Sequence, residues 1–112
     1  METLIPDFDG HAGWVQKVID ARPEVISHNL ETVRRLTPKI RSKAKYETSL
    51  AVVRQIAQSD AVSKSGIMLG LGETEKEVLE TMDDLRAAGC EVMTIGQYLQ
   101  PSMQHMRVEA YI

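Results

Sequence analysis

Polar residues follow each of four apolar runs in this 112-residue sequence, and they are the candidates for binding or catalysis. We predict the runs to be parallel strands, whose carboxyl ends meet at one edge of a sheet, where α/β proteins bind ligands. The residues at these ends include Asp7, His28, Asn29, Glu31, Thr32, Gly70, Glu73, Gln97, Tyr98 and Gln100. They predict a ligand site rich in amides, hydroxyls and carboxylates. Loop composition alone also places polar residues at strand ends, and this alternative stays open.

A glycine-rich loop is predicted at residues 70–72, between the third strand and a helix. It is similar to a dinucleotide phosphate loop, but Glu75 stands where the third glycine belongs. Glu73, Glu75 and Glu77 crowd the amino end of the helix, where carboxylates satisfy the helix dipole and would repel a diphosphate. The ligand should therefore be neutral or cationic, or present hydroxyls and an amine. S-adenosylmethionine has these properties, with its sulfonium, amino group and ribose diol.

The four strands are predicted near residues 2–5, 24–27, 65–71 and 92–96, and residues 97–112 form a tail of weak pattern. The run at 65–71 is nearly all apolar, which is typical of a strand buried on both faces of a parallel sheet. Helical patterns separate the strands, so parallel strands with helical crossovers are the simplest arrangement. We predict one α/β domain over residues 1–112, either about half of a (β/α) barrel or a small open sheet.

Three amphipathic helices supply the apolar cover of this sheet. Thr74 and Glu77 form a predicted capping box at the start of the last helix, and Gly89 suits the position after its end. Asp7 or Asp9 is predicted to cap the first helix. The residues that give the three patterns are Trp14, Val15, Val18 and Ile19, then Tyr46, Ser49, Leu50, Val53, Ile56 and Ala57, then Val78, Met82 and Leu85.

Composition excludes several classes of function. A net charge of −3 leaves no basic footprint for nucleic acid or an anionic membrane. No apolar stretch approaches the roughly 20 residues that span a bilayer, and the first residues do not resemble a signal peptide, so we expect a cytoplasmic protein. Cys90 is the single cysteine, which excludes an internal disulfide and any all-cysteine metal site.

Several strings of residues carry a family resemblance. Residues 66–73 read Gly-Ile-Met-Leu-Gly-Leu-Gly-Glu. They are similar to the glycine- and isoleucine-containing motif of radical S-adenosylmethionine enzymes, with Met68 in the place of an isoleucine. Residues 3–8, 28–33, 64–74 and 93–102 are similar to lipoyl synthases in particular, in the family's order and spacing. The resemblance covers nearly the whole chain.

The resemblance implies a partial (β/α) barrel and a sulfur-insertion reaction. Enzymes of this family insert two sulfur atoms into octanoyl groups carried on lipoyl domains or the H-protein. One [4Fe-4S] cluster binds S-adenosylmethionine and cleaves it reductively to a 5′-deoxyadenosyl radical, while a second cluster donates sulfur. The cofactors carry this chemistry, and the protein orients and shields them.

The resemblance also implies which residues contact S-adenosylmethionine. Asn29 and Glu31 should face its ribose or methionine part, and Arg41 is a candidate partner for its carboxylate. The strand with Gly66, Met68 and Gly70 should flank the adenine. The segment of Gln97, Tyr98, Leu99 and Gln100 should close the adenine edge through backbone groups. Glu73 is expected to cap its own loop.

The sequence departs from the family in its cysteines. Family members carry three cysteines for each cluster before the segment present here, and Cys90 cannot replace them. Three hypotheses follow: a fragment inactive by itself, a cluster-free binding module, or one piece of a split enzyme completed by a separate chain. The missing amino-terminal portion of the barrel is thus an expected partner.

Overall fold

One parallel sheet organises the structure, a computed structural model that describes residues 2–40 and 45–97. Its order is β1-β2-β3-β4, and each neighbouring pair is parallel. The strands are β1 (Glu2–Leu4), β2 (Val25–Ser27), β3 (Val62–Leu69) and β4 (Val92–Gln97). The predicted α/β class with about four parallel strands is confirmed. Within the described residues the sheet does not close, as expected for part of a barrel.

Helices alternate with the strands. They are α1 (Ala12–Asp20), the short α2 (Thr37–Ile40), α3 (Tyr46–Ala57) and α4 (Glu75–Ala87). The predicted capping box opens α4: the Glu77 amide donates to Thr74 Oγ1 over 3.1 Å, and the Thr74 amide donates to Glu77 Oε1 over 2.9 Å. Across residues 2–40 and 45–97, no helix is long and apolar enough to cross a membrane.

The predicted cap of α1 is wrong. Its N-cap is His11, which makes no side-chain capping bond. Asp7 instead accepts a hydrogen bond from the Asp9 amide and caps a separate 3-10 turn, Phe8–Gly10. This turn holds Phe8, Asp9 and Gly10 at positive φ, so it separates Asp7 from the helix. Sequence spacing alone did not reveal the intervening turn.

The core lies between the sheet and the long helices. Ile5 and Ile26 pack against Val15 of α1 and Val52 and Ile56 of α3. On the next strands, Ile67 and Met93 pack with residues of α3 and α4, including Leu50, Val53 and Leu85. One face of the sheet is thus covered by helices. Two residues of the predicted helical patterns, Trp14 and Met82, are exposed instead.

Strand β3 begins earlier than predicted, at Val62 rather than residue 65. Ser63 and Ser65 are fully buried there, because their hydroxyls find partners: Ser63 donates to the Gly89 carbonyl, and Ser65 accepts from the Leu30 amide. Buried serines made this part of the strand look like a loop in the sequence. The strand ends at Leu69, since Gly70 turns the chain with φ of 99°.

The other face of the sheet carries the side chains that alternate with the core residues. Ser27, Lys64 and Val92 are in register across β2, β3 and β4, and Gly66 is in register with Thr94. Because Ile26, Ile67 and Met93 point to the helices, these residues point away from them. Lys64 Nζ pairs with the Glu2 carboxylate on this face over 2.9 Å.

Candidate ligand-binding site

The candidate site is centred on Gly66, on the face of β3 that points away from the helices. A Cβ atom at Gly66 would lie 2.5 Å from Thr94 Oγ1 and 3.2 Å from Asn29 Oδ1, so no side chain fits there. The same distances place the two oxygens within about 6 Å of each other. Two predicted site residues, Asn29 and Gly66, are therefore brought together.

Glu31 extends the pairing of β2 with β3 beyond Ser27. Its amide donates to the Gly66 carbonyl over 2.9 Å, and its carbonyl accepts from the Met68 amide over 2.7 Å. These bonds hold Glu31 at φ of 74°, a left-handed conformation that costs a non-glycine residue about 1–2 kcal/mol. Such strain occurs preferentially at functional sites, where the surrounding structure enforces it.

A shallow depression of about 320 Å³ lies at the carboxyl ends of β1 and β2. Its lining brings the predicted residues Asn29 and Glu31 to one concave surface, the place where ligands of parallel α/β folds bind. The lining residues are Leu4, Ile5, Pro6, His28, Asn29 and Glu31.

Glu73 closes the loop that follows β3. Its Oε1 accepts from the Gly70 amide over 2.8 Å and from the Leu71 amide over 3.5 Å. The carboxylate is therefore engaged by its own loop, which agrees with the expected capping role. Gly70, a predicted site residue, contributes its left-handed backbone to this turn.

Of the remaining predicted site residues, the structure describes Met68 and Gln97. Met68 is half-buried and packs against the cluster of Val33, Leu36 and Leu71. Gln97 is in register with Leu69, which packs into the core, so it is on the helix-covered face and not on the face of Gly66. Arg41, Tyr98, Leu99 and Gln100 lie outside the described residues.

His28 has a structural role. It is 2% exposed, and its side chain points toward the helices, on the same face of the sheet as Ile26. Its Nδ1 lies 2.9 Å from the Ile5 carbonyl, and its Nε2 lies 2.9 Å from Ser49 Oγ on α3. Because a carbonyl can only accept, Nδ1 carries a proton and donates it. The imidazole thus joins β1, β2 and α3: His28 borders the depression, and both of its ring nitrogens are engaged by Ile5 and Ser49.

Sequence reasoning missed Thr94. Its hydroxyl leans over Gly66, and neither it nor the Asn29 amide has a hydrogen-bond partner within residues 2–40 and 45–97. The alternation of β4 could have placed Thr94 on one face. Its contact with Gly66 depends on the register between β3 and β4, which no residue type reveals.

Cys90 lies at the far end of the sheet from the site. It precedes β4, and its Sγ donates to the Val92 carbonyl over 3.2 Å. Burial raises the pKa of the thiol, so the thiolate that binds iron is disfavoured. Within the part of the chain that the structure describes, no group of three metal-binding side chains occurs. A [4Fe-4S] cluster therefore does not fit the residues present.

A larger concavity of about 870 Å³ lies beside α1 and α3, lined by residues such as Gln16, Arg22 and Gln55. It also includes Pro23 before β2 and Asp60 before β3, so it lies at the amino ends of the strands. In α/β barrels that end contributes to stability and not to catalysis. We therefore assign the ligand site to the smaller depression and the Gly66 face.

Comparison with known proteins agrees with this geometry. The family model described as Radical SAM superfamily matches residues 2–85. The chain is 65% identical to the lipoyl synthase of Treponema denticola over 112 residues, all of this chain and 39% of that protein. It is 63% and 59% identical to the lipoyl synthases of Porphyromonas gingivalis and Parabacteroides distasonis, over all of this chain and 40% of each. The chain thus spans about 40% of the length of these relatives.

Proposed function

We propose that this chain, which belongs to the Radical SAM superfamily, forms the S-adenosylmethionine-binding part of a lipoyl synthase. The longer protein would insert two sulfur atoms into octanoyl groups on lipoyl domains or the H-protein. High identity to proteins named lipoyl synthase across the whole chain supports this assignment. Because those proteins are longer, the complete reaction requires residues beyond the segment that aligns here.

One observation carries the proposal: Gly66 bares the backbone of β3 between Thr94 Oγ1 and Asn29 Oδ1, which would lie 2.5 and 3.2 Å from a Cβ at this position. The bare backbone lies toward the carboxyl ends of the strands, beside an Asn29 side-chain amide that makes no hydrogen bond in the described ranges. A flat or polar ligand can approach the β3 backbone there, because glycine permits close approach. The residues present therefore fit a nucleoside such as S-adenosylmethionine.

The chain's own residues would bind and orient this nucleoside. Asn29 can donate and accept hydrogen bonds to its hydroxyls, and the Glu31 carboxylate suits its amino group or sulfonium. Met68 and Gly70 would present apolar side chain and backbone to the adenine. Arg41 and the segment 97–100 remain predicted contacts with its carboxylate and adenine edge. S-adenosylmethionine supplies the radical chemistry when it is bound to a cluster.

Both [4Fe-4S] clusters would be held by cysteines outside these 112 residues. Cys90, the single cysteine, is half-buried at the amino end of β4 and faces its own turn. We therefore expect the isolated chain to orient nucleoside without performing sulfur insertion. Anaerobic reconstitution with iron and sulfide should give no stoichiometric cluster absorption.

The fragment, split-enzyme and binding-module hypotheses predict different DNA sequences upstream of this chain. An in-frame upstream continuation with clustered cysteines favours a fragment, and a separate cysteine-bearing gene favours a split enzyme. A stop codon with no such gene nearby favours a binding module. Reading the upstream DNA therefore distinguishes the three.

The binding test is isothermal titration of the chain with S-adenosylhomocysteine. We expect saturable binding at one site, and Asn29→Ala should weaken it about tenfold, since one lost hydrogen bond costs about 1 kcal/mol or more. Gln58→Ala is the matched control, because it removes an exposed amide beyond the end of α3. Absence of heat with the wild-type chain would refute the proposed function.

A further inference from the structure

We infer that Ser65, a buried serine of β3, is a positioning residue: its hydroxyl holds a bulge of the chain after β2 that aims Asn29 and Glu31 at the ligand. The inference rests on the proposed function and adds to it a residue that acts through its neighbours. Ser65 is fully buried, and it alternates with Gly66 along the strand, so its side chain points toward the helices. Its influence on the site must therefore pass through the backbone of the chain after β2.

The chain after β2 contains one residue more than regular pairing with β3 allows. Ser27 is opposite Lys64. Four residues further along each strand, an unbroken register would place Glu31 opposite Met68. Glu31 is opposite Ile67 instead. One extra residue in a strand is a β-bulge, a feature that changes the direction of side chains and is over-represented beside active sites.

The backbone hydrogen bonds locate the extra residue at Leu30. In a regular parallel pair, every second residue of one strand bonds to the neighbouring strand at even spacing. The His28 amide donates to the Lys64 carbonyl over 3.0 Å. The next such bond should join the Leu30 amide to the Gly66 carbonyl, but the Glu31 amide donates to that carbonyl over 2.9 Å. The Leu30 amide is therefore displaced from the ladder of β2 and β3.

Ser65 supplies the displaced amide with a partner. Leu30 is fully buried, where an amide without a hydrogen bond is costly, and its amide donates to Ser65 Oγ over 3.2 Å. Asn29 and Glu31 flank Leu30 in the chain, and both line the depression at the carboxyl ends of β1 and β2. Glu31 adopts its left-handed φ of 74° in the same arrangement. The Ser65 hydroxyl thus stabilises the backbone that brings the two side chains to one surface.

The test compares two buried serines of β3. Ser65→Ala removes the hydroxyl that holds the bulge. Ser63→Ala is the matched control, because Ser63 is also fully buried on the same face and its hydroxyl bonds to Gly89 and Glu91 instead. Titration with S-adenosylhomocysteine should give a Kd about tenfold higher for Ser65→Ala and within about twofold of wild type for Ser63→Ala. In hydrogen exchange followed by NMR, the Leu30 amide should exchange about tenfold faster in Ser65→Ala than in Ser63→Ala.

Ser65→Cys decides the question if Ser65→Ala does not fold. Its thiol is close in size to the hydroxyl but is a weak acceptor, so the Kd should still rise several-fold. Wild-type affinity in the Ser65 variants, or an equal loss of affinity in Ser63→Ala, would overturn the positioning role and leave the proposed function intact. Equal exchange of the Leu30 amide in Ser65→Ala and Ser63→Ala would also overturn it. No binding of S-adenosylhomocysteine to wild type would overturn both the inference and the proposed function.

Discussion

The side chains of Thr94 and Asn29 restrict the space above Gly66. A methyl group there would overlap with Thr94 Oγ1 at 2.5 Å, and Thr94 is stiff about χ1. Gly66→Ala should therefore lower the free energy of unfolding by about 1–3 kcal/mol, the usual cost of overpacking. Urea denaturation followed by circular dichroism measures this change. Gly66→Ala combined with Thr94→Ala should recover part of the loss, because the overlapping hydroxyl is gone.

Gly13 in α1 provides the matched control. It has no atom within 4 Å of its Cβ position, and it lies in a helix, where alanine is preferred to glycine. Gly13→Ala should raise the free energy of unfolding by up to about 1 kcal/mol. A Gly66→Ala variant whose free energy of unfolding is unchanged or raised, as is expected for Gly13→Ala, would show that the space above Gly66 is not restricted.

At the scale of elements, an ion pair joins the turn before α2 to the start of α4. Arg35 donates from Nε and Nη2 to the two Glu77 oxygens over 2.8 and 2.9 Å, and also to the Gly72 carbonyl over 2.8 Å. The hydrogen bonds from Arg35 lower the pKa of Glu77 from 4.5 to about 2. The pair thus fixes the loop between β3 and α4 beside the candidate site.

The lowered pKa gives this pair a defined pH dependence. A carboxyl whose pKa is lower in the folded state stabilises the fold above its unfolded pKa and loses that effect as pH falls. The stability difference between wild type and Glu77→Gln should be complete at pH 7, shrink below about 4.5, and vanish near 2. Thermal melts at these pH values measure it.

Glu80→Gln is the control for that series. Glu80 is exposed on the same helix and lies 3.9 Å from Lys76, so screening leaves the pair a small contribution. The melting temperature of Glu80→Gln should equal that of wild type at every pH. A pH-independent difference between wild type and Glu77→Gln would contradict the assigned pKa and its cause.

The elements also show what sequence could predict. The apolar runs predicted four parallel strands, and the capping box predicted the start of α4, because both depend on residues close in the chain. The start of β3 was misplaced because its buried serines form hydrogen bonds with distant residues. Thr94 was missed for a related reason: its place over Gly66 depends on register between two strands.

At the scale of the whole molecule, β1 and β4 each have a neighbouring strand on one side only within the described residues. Unpaired strand edges promote association, so we expect the isolated chain to self-associate in size-exclusion chromatography. Ile95→Lys places a charge on β4, where Ile95 is 49% exposed, and should reduce association. Leu79→Lys, at an exposed position on α4, should not.

A compact wild-type monomer with a sharp melting transition would contradict this expectation. Equal effects of Ile95→Lys and Leu79→Lys would show that exposed apolar surface, and not the strand edge, drives association. In the longer relatives, the proposed neighbours of these edges are the barrel strands that this segment does not include. The single domain over residues 1–112 stays a prediction.

Locating S-adenosylhomocysteine on the chain by ¹H–¹⁵N NMR tests the assigned ligand site directly. We expect saturable shift changes centred on the amides of Asn29, Glu31, Gly66 and Thr94, with little change at the α1–α3 concavity. Saturable changes confined to that concavity, around Arg22 and Gln55, would contradict it, as would the absence of any saturable change.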